Sequence, residues 1–195
     1  MSEENRKAIR ISVRNLVEFV LRSGDIDNRR SGNAQKDAML AGGRIHRKIQ
    51  KRMGSGYRAE VPLKHEVQDE EQEITLLVEG RADGIFTENG IPVIDEIKGM
   101  YTDISRLEEP IEVHLAQAMC YGYFYCCDKD LDGIRLQMTY CNLETEEIKR
   151  FQTDRSREEL ETWFSGVVHE YFKWARYLYH HELTRDASIR NLEFP

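Results

Sequence analysis

Two carboxylates and an ammonium lie close together in this sequence: Asp83 in Gly80-Arg81-Ala82-Asp83, and Glu96 with Lys98 past the next turn. Alternate side chains share one face of a strand, so Glu96 and Lys98 project with Ile94, and Asp95 projects the other way. A polar pair on an otherwise apolar strand is costly to bury unless it is satisfied. Asp83 falls near the end of the preceding strand and can reach the same corner. Such a trio suits metal-assisted hydrolysis of a phosphodiester. Asp83 and Glu96 supply hard oxygen ligands for Mg2+ or Mn2+. The metal lowers the pKa of a bound water and offsets charge in the transition state. Lys98 can orient the attacking water or stabilise the developing negative charge. An ion pair on an exposed strand face would use the same three residues, and spacing alone leaves both readings open.

The elements that must position these residues follow from periodicity. Ile9, Val13, Leu16, Val17 and Val20 recur at helical spacing, which predicts a helix over 12–22 closed by Ser23-Gly24, then a loop over 25–32. A second helix is predicted over 33–53, with Arg44, Arg47, Lys48, Lys51 and Arg52 on a basic face. Gly42-Gly43 inside it costs helix stability relative to alanine, and a close approach of backbone or ligand would account for the pair. From Tyr57 the period changes to two. Strands are predicted over 57–64 (interrupted by Pro62), 73–86 and 91–98, the last two joined by the turn Glu88-Asn89-Gly90. An apolar, aromatic helix follows over 114–127. A second hairpin spans 134–142 and 147–151, and a long amphipathic helix runs over 154–182. The order of helices, strands, helix, strands and helix predicts an α/β fold, a mixed sheet with helices packed on it.

Further motifs give the trio a context. Gly80 to Asp83 followed by Glu96-Ile97-Lys98 resembles the PD-(D/E)xK nuclease superfamily. Gln117-Ala118-Met119-Cys120-Tyr121 resembles the Q-x-x-x-Y motif of its RecB and Cas4-like branch, and Gly43-Arg44-Ile45-His46 resembles that branch's upstream histidine motif. The four motifs stand in the expected order across residues 43–121. The resemblance implies a restriction-endonuclease-like fold, a central mixed sheet flanked by helices, in one nuclease domain over 1–195. That domain divides into N-terminal helices (1–53), a core sheet with the motif helix (54–153), a long helix (154–184) and a tail or linker (185–195). It further implies that His46, Asp83, Glu96 and the carbonyl of Ile97 bind Mg2+ or Mn2+, and that Lys98 is the catalytic lysine. Gln117 and Tyr121 would line the site and contact DNA. Glu60 and Glu79 are further carboxylates within reach, with no assigned role. Many Cas4-like nucleases carry a four-cysteine iron–sulfur cluster; here no cysteine precedes Cys120 and no C-terminal triplet follows, so no cluster is expected. The segment 187–195 resembles the lead into the motor of Rad3-like helicases, which implies a helicase region as a partner in a longer chain.

Composition sets bounds on these readings. Of 195 residues, 40% are hydrophobic and 32% charged, a folded composition rather than a disordered one. No apolar stretch approaches the roughly 20 residues that span a bilayer, and the first residues carry no apolar signal core. A cytoplasmic protein without membrane contact is expected. Cys120, Cys126, Cys127 and Cys141 form no C-x-x-C pair and read as reduced, mostly buried thiols. The formal charge of −7 hides an asymmetry: residues 1–52 carry +7 and residues 53–195 carry −14. A basic N-terminal quarter on an acidic body can guide a polyanion such as DNA. The predicted activity is metal-dependent, exonuclease-type hydrolysis of single-stranded, flapped or end-containing DNA in repair or recombination. The rival reading is a nuclease fold that binds and docks nucleic acid without cutting it.

Overall fold

The period-two pattern that begins at Ile74 is a 15-residue strand on which the whole sheet is built. The computed structural model describes residues 7–21, 32–69 and 74–190, with the side chains of 32–39 and 186–190 left aside. The elements run β1 (Lys7–Ser12), α1 (Val13–Leu21), α2 (Gly32–Arg52), β2 (Arg58–Gln68), β3 (Ile74–Glu88) and β4 (Ile91–Met100). A single 3-10 turn (Ile104–Arg106) follows, then α3 (Glu112–Lys129), β5 (Gly133–Asn142), β6 (Ile148–Ser156) and α4 (Arg157–Arg190). The six strands form one sheet in the order β1-β3-β4-β5-β6, with β2 paired to β3 off that path. β1 is parallel to β3 and β5 to β4; the other pairs are antiparallel. The α/β class and the central mixed sheet flanked by helices are those the sequence implies.

β3 carries three neighbours because they divide its length. β2 covers residues 75–85. β1 covers 74–79 and β4 covers 84–88, so these two share the other edge end to end. Among the described residues, positions 80–83 face no strand on that edge. Asn89 and Gly90 both take positive φ (52° and 82°), the two left-handed positions of a type I′ hairpin turn, whose twist matches that of the β3 and β4 strands it joins.

Helices cover both faces of β4. The larger core joins Val13, Leu16 and Val17 of α1 and Phe124 of α3 to Phe164 of α4, over Leu76, Val78 and Ile94 of the sheet. A smaller one packs Ile45 and Ile49 of α2 on Ile97 and Cys141. Ile94 and Ile97 thus bury opposite faces of one strand, which is why β4 reads as an almost continuous apolar run. All four cysteines are free thiols, and three are buried. No helix of the described residues is long and apolar enough to cross a membrane.

The structure corrects several expectations. Ile9 belongs to β1, not to a helix: Lys7–Ser12 is a parallel strand that starts the sheet, too short for its period to stand out beside the helix that follows. β2 continues to Gln68 through Pro62, which is tolerated because β2 pairs only with β3 and its other edge needs no N–H. β6 runs to Ser156, past the predicted end and through the predicted start of the long helix. Ser156 caps α4: its Oγ accepts from Glu159 N at 3.1 Å while Glu159 Oε2 accepts from Ser156 N at 2.8 Å, a capping box that Ser156-Arg157-Glu158-Glu159 spells out. α4 reaches Arg190. The predicted loop over 25–31 and the last part of the tail (191–195) lie outside the described residues. At Gly42 and Gly43 nothing approaches closely: a Cβ at Gly42 would meet nothing within 4 Å, and one at Gly43 only Arg47 Nη1 at 3.7 Å.

Candidate active site

Asp83, Glu96 and Lys98 come together where β3 leaves the gap between β1 and β4. Gly84 stands opposite Asp95, which sets Asp83 beside Glu96 on the neighbouring strand. Asp83 Oδ2 accepts the Ile97 N–H at 2.7 Å, and its Oδ1 lies 3.2 Å from His46 Nδ1. Lys98 Nζ donates to Glu96 Oε1 and to Gln117 Oε1, both at 2.8 Å. Glu96 is only 4% exposed, and its second oxygen, Oε2, is buried without a hydrogen-bond partner. Burial lifts the Glu96 carboxyl to about 7, with Asp83 adding to the rise and Lys98 pulling against it. For His46, burial disfavours protonation, but the hydrogen bond and charge of Asp83 outweigh it and raise its pKa.

α2 delivers His46 by helical spacing. Ile45 and Ile49, one turn apart, fix the helix on Ile97. His46 and Gln50 are the next pair at the same spacing, and both turn to Asp83. Gln50 Nε2 donates to the Asp83 carbonyl at 2.9 Å and to Glu60 Oε1 at 3.0 Å. Glu60 sits across from Asp83 at φ 53°, a left-handed position that costs a non-glycine residue of order 1 kcal/mol. The ladder pairs Ala59 with Gly84 and Val61 with Ala82 and passes over Glu60 and Asp83. Glu60 therefore does have a place, as part of the mount of Asp83. Glu79 does not reach the cluster; it pairs with Arg10 at 2.9 Å. Arg44, Arg47, Lys51 and Arg52 lie exposed on α2.

α3 supplies Gln117 and Tyr121. They are 5% and 6% exposed, so neither offers a strand much surface. Gln117 holds Lys98. The Tyr121 ring packs on Gly80, where a Cβ would stand 2.5 Å from its Oη, and its hydroxyl bonds the Arg81 backbone on the edge of β3 that no strand covers. Their spacing on one helix face was legible in the sequence; the depth of that face was not. His114, one turn before Gln117 on the same helix face, has no role assigned from the sequence. Its Nδ1 is buried without a partner, and burial together with the charges of Lys98 and Arg14 lowers its pKa to about 4. The signal available was its position at i−3 from Gln117.

Among the described residues, no three His, Cys, Asp or Glu side chains are already drawn around one point as in a finished metal centre. His46 and Asp83 hold each other, and Glu96 Oε1 holds Lys98. The donor set nevertheless fits a divalent cation: two carboxylates and an imidazole, with a buried carboxylate oxygen, Glu96 Oε2, that has no other partner.

Behind this cluster, on the other face of β4, lies a second polar group. Asp95 is 0% exposed. Its Oδ1 accepts from Thr139 Oγ1 at 2.6 Å and its Oδ2 from Tyr57 Oη at 3.0 Å. Tyr57 fills a notch that only glycine leaves at position 84, since a Cβ there would fall 1.8 Å from the ring.

No protein-family model matches the sequence, and no curated protein does. Among solved structures, the crystal structure of SSO0001 is similar over 87% of this chain and 78% of its own, with 17% identity and a TM-score of 0.53. That likeness is one of fold. An alkaline exonuclease (LHK-Exo) from Laribacter hongkongensis matches over 90% of this chain and 94% of its own, with 13% identity and a TM-score of 0.47. The same exonuclease in complex with dAMP matches over 89% and 93%, with 14% identity and a TM-score of 0.47.

Proposed function

We propose that this protein is a metal-dependent DNA nuclease that hydrolyses phosphodiester bonds, with exonuclease-type action on single-stranded, flapped or end-containing DNA. One observation carries the reading: a nearly buried carboxylate, Glu96, bonds the ammonium of Lys98 through one oxygen and leaves the other unpartnered beside Asp83 and His46.

In this reading His46, Asp83, Glu96 and the Ile97 carbonyl hold Mg2+ or Mn2+, which when bound supplies an activated water and positive charge for the transition state. Asp83 is held by the Ile97 N–H and, through its own carbonyl, by Gln50, so its carboxylate keeps one orientation. Lys98 is fixed between Glu96 and Gln117, which places its ammonium to contact a phosphate oxygen or the attacking water. Gln117 acts through Lys98, and Tyr121 through β3. Repair or recombination, with a helicase region in the same longer chain, is the setting that the motif resemblance supports.

The test is a gel assay on 5′- and 3′-labelled single-stranded, duplex and flapped DNA with Mg2+, Mn2+ or EDTA, with Glu96→Ala and Lys98→Ala beside the wild type. Metal-dependent cutting that both variants lose is the expected result. Cutting that persists in either variant overturns the site. No cutting on any substrate, with no thermal shift in Mg2+ or Mn2+, moves the protein to the docking reading.

A further inference from the structure

Next to Asp83 the sheet opens into a groove of about 580 Å³, bordered by Ser12, Pro62, Lys64 and Arg81 with the backbone of Leu63 and Gly80. Its origin is topological. β1 ends at Ser12 opposite Glu79, the chain turns away into α1, and β4 does not join β3 until Gly84. Pro62 stands directly across from Arg81, and Lys64 across from Glu79. The volume lies within the roughly 300–1,000 Å³ of sites that enclose small ligands.

The charges in the groove are unequal in their freedom. Glu79, its one carboxylate, is already matched by Arg10, whose Nη2 lies 2.9 and 3.1 Å from the two oxygens. Lys64 and Arg81 are exposed, and neither has a carboxylate partner among the described residues. The groove thus presents two unmatched cations, a serine hydroxyl and the apolar ring of Pro62. Arg81 lies two residues, about 7 Å, before Asp83 along β3, close to the separation of successive phosphates in an extended strand. Arg14 of α1, two residues past Ser12, acts on His114, which also feels Lys98. Arg14 is itself paired with Glu18 at 2.8 Å, so the unmatched basic groups beside the candidate active site are Lys64 and Arg81.

We propose that this groove holds one strand of nucleic acid next to the scissile bond, with Lys64 and Arg81 on its phosphates. The inference rests on the nuclease reading of the adjoining site. It assigns the substrate class as a single strand, because a groove of this size admits a short stretch of one strand and not a duplex.

The experiment separates the groove from the chemistry. Binding of a fluorescein-labelled oligothymidylate is followed by anisotropy in EDTA across a salt series, for the wild type, Lys64→Ala/Arg81→Ala, and Lys173→Ala as a control whose charge Glu170 already matches. The groove predicts a Kd about tenfold higher for the double variant and a log–log salt slope shallower by about 1.4, roughly 0.7 for each single-strand phosphate that the variant no longer neutralises. The control should match the wild type. In parallel, bis(p-nitrophenyl) phosphate with Mn2+ tests the chemistry on a substrate too small to span the groove. The double variant should lose far more of its oligothymidylate cleavage than of its hydrolysis of this small ester. A double variant with wild-type affinity and slope overturns the groove, as does a wild type that binds no strand. A wild type that binds the strand but hydrolyses neither substrate overturns the nuclease reading instead. Both substituted residues are exposed, and matching melting temperatures would show that the fold is intact.

Discussion

Asp95 and Glu96 are adjacent in the chain, both nearly without exposure, and they are built in opposite ways. Asp95 has a hydroxyl on each oxygen, from Thr139 and from Tyr57, and neither bond comes from a cation. Glu96 has a lysine on one oxygen and nothing on the other. Burial pushes both pKa values up, so both sites carry the cost of desolvation. Only one is fully compensated. Asp95 knits Tyr57, before β2, to β4 and β5, with a protein partner on each of its oxygens. Glu96 is held well enough to stay in place and open enough to take a further partner. Two carboxylates one residue apart thus divide into a structural group and a functional one, and strand alternation makes the division.

The largest effect expected from this contrast is on cleavage. Glu96→Gln should lower it by at least about a hundredfold, the range seen when a single well-aimed electrostatic group is removed. Its melting temperature should fall less than that of Asp95→Ala, since the amide oxygen still accepts from Lys98 even though the charge pairing is lost. Asp95→Ala should do the reverse. It leaves the buried Thr139 hydroxyl and the half-buried Tyr57 hydroxyl without an acceptor, which costs about 1–3 kcal/mol, or roughly 2–12 °C for a chain of this size. The protein that remains folded should still cut. Calorimetry beside the gel assay reads both effects, and a melting temperature that falls equally in the two variants would erase the distinction.

A smaller effect sharpens the structural half. Gly84→Ala places a Cβ inside the Tyr57 ring, so Tyr57 must swing out and give up Asp95. The variant should be destabilised to about the extent of Asp95→Ala. The two changes combined should cost less than their sum, because both remove the same hydrogen bond. Additive costs would mean that Tyr57 keeps its bond to Asp95 by another route.

How much of this was legible in the sequence follows the same division. Alternation along Ile94-Asp95-Glu96-Ile97-Lys98 assigned Glu96 and Lys98 to one face and Asp95 to the other, because a short-range rule decides it. The turn Asn89-Gly90 fixed the hairpin that brings Asp83 beside Glu96. His46 was reachable only through a motif, since its meeting with Asp83 depends on how Ile45 and Ile49 seat a helix on Ile97. The spacing of Gln117 and Tyr121 put them on one helix face, and the depth of that face was not legible. Their burial depends on Gly80, which has no side chain and lets Tyr121 close onto β3. Gln50 gave no signal at all, and Glu60 only that of a carboxylate within reach: their role comes from one left-handed residue that breaks the ladder opposite Asp83. β1 and the end of β6 were missed because edge and polar strands are held by their neighbours more than by their own pattern.

The smallest effect tests whether the open character of the site extends beyond Glu96. His114 Nδ1 is buried without a partner, and Lys98 and Arg14 act on the ring to keep it neutral, with Glu18 opposing them. In the unfolded chain a histidine titrates near 6.5, whereas here it does so at about 4. Between those values the unfolded state binds more protons than the folded one, so stability is present above pH 6.5 and is lost as pH falls toward 4. His65, also lowered by burial, adds to the same slope. Removing one group removes only its share. The melting temperature of His114→Gln, taken relative to the wild type, should therefore climb by a few degrees as pH is lowered from 7 to 4, at roughly 2–4 °C per kcal/mol. Parallel curves would mean that the imidazole finds a proton acceptor in the folded state. The unpartnered oxygen of Glu96 would then be the single polar gap in the site, instead of one of two unpartnered atoms near Lys98.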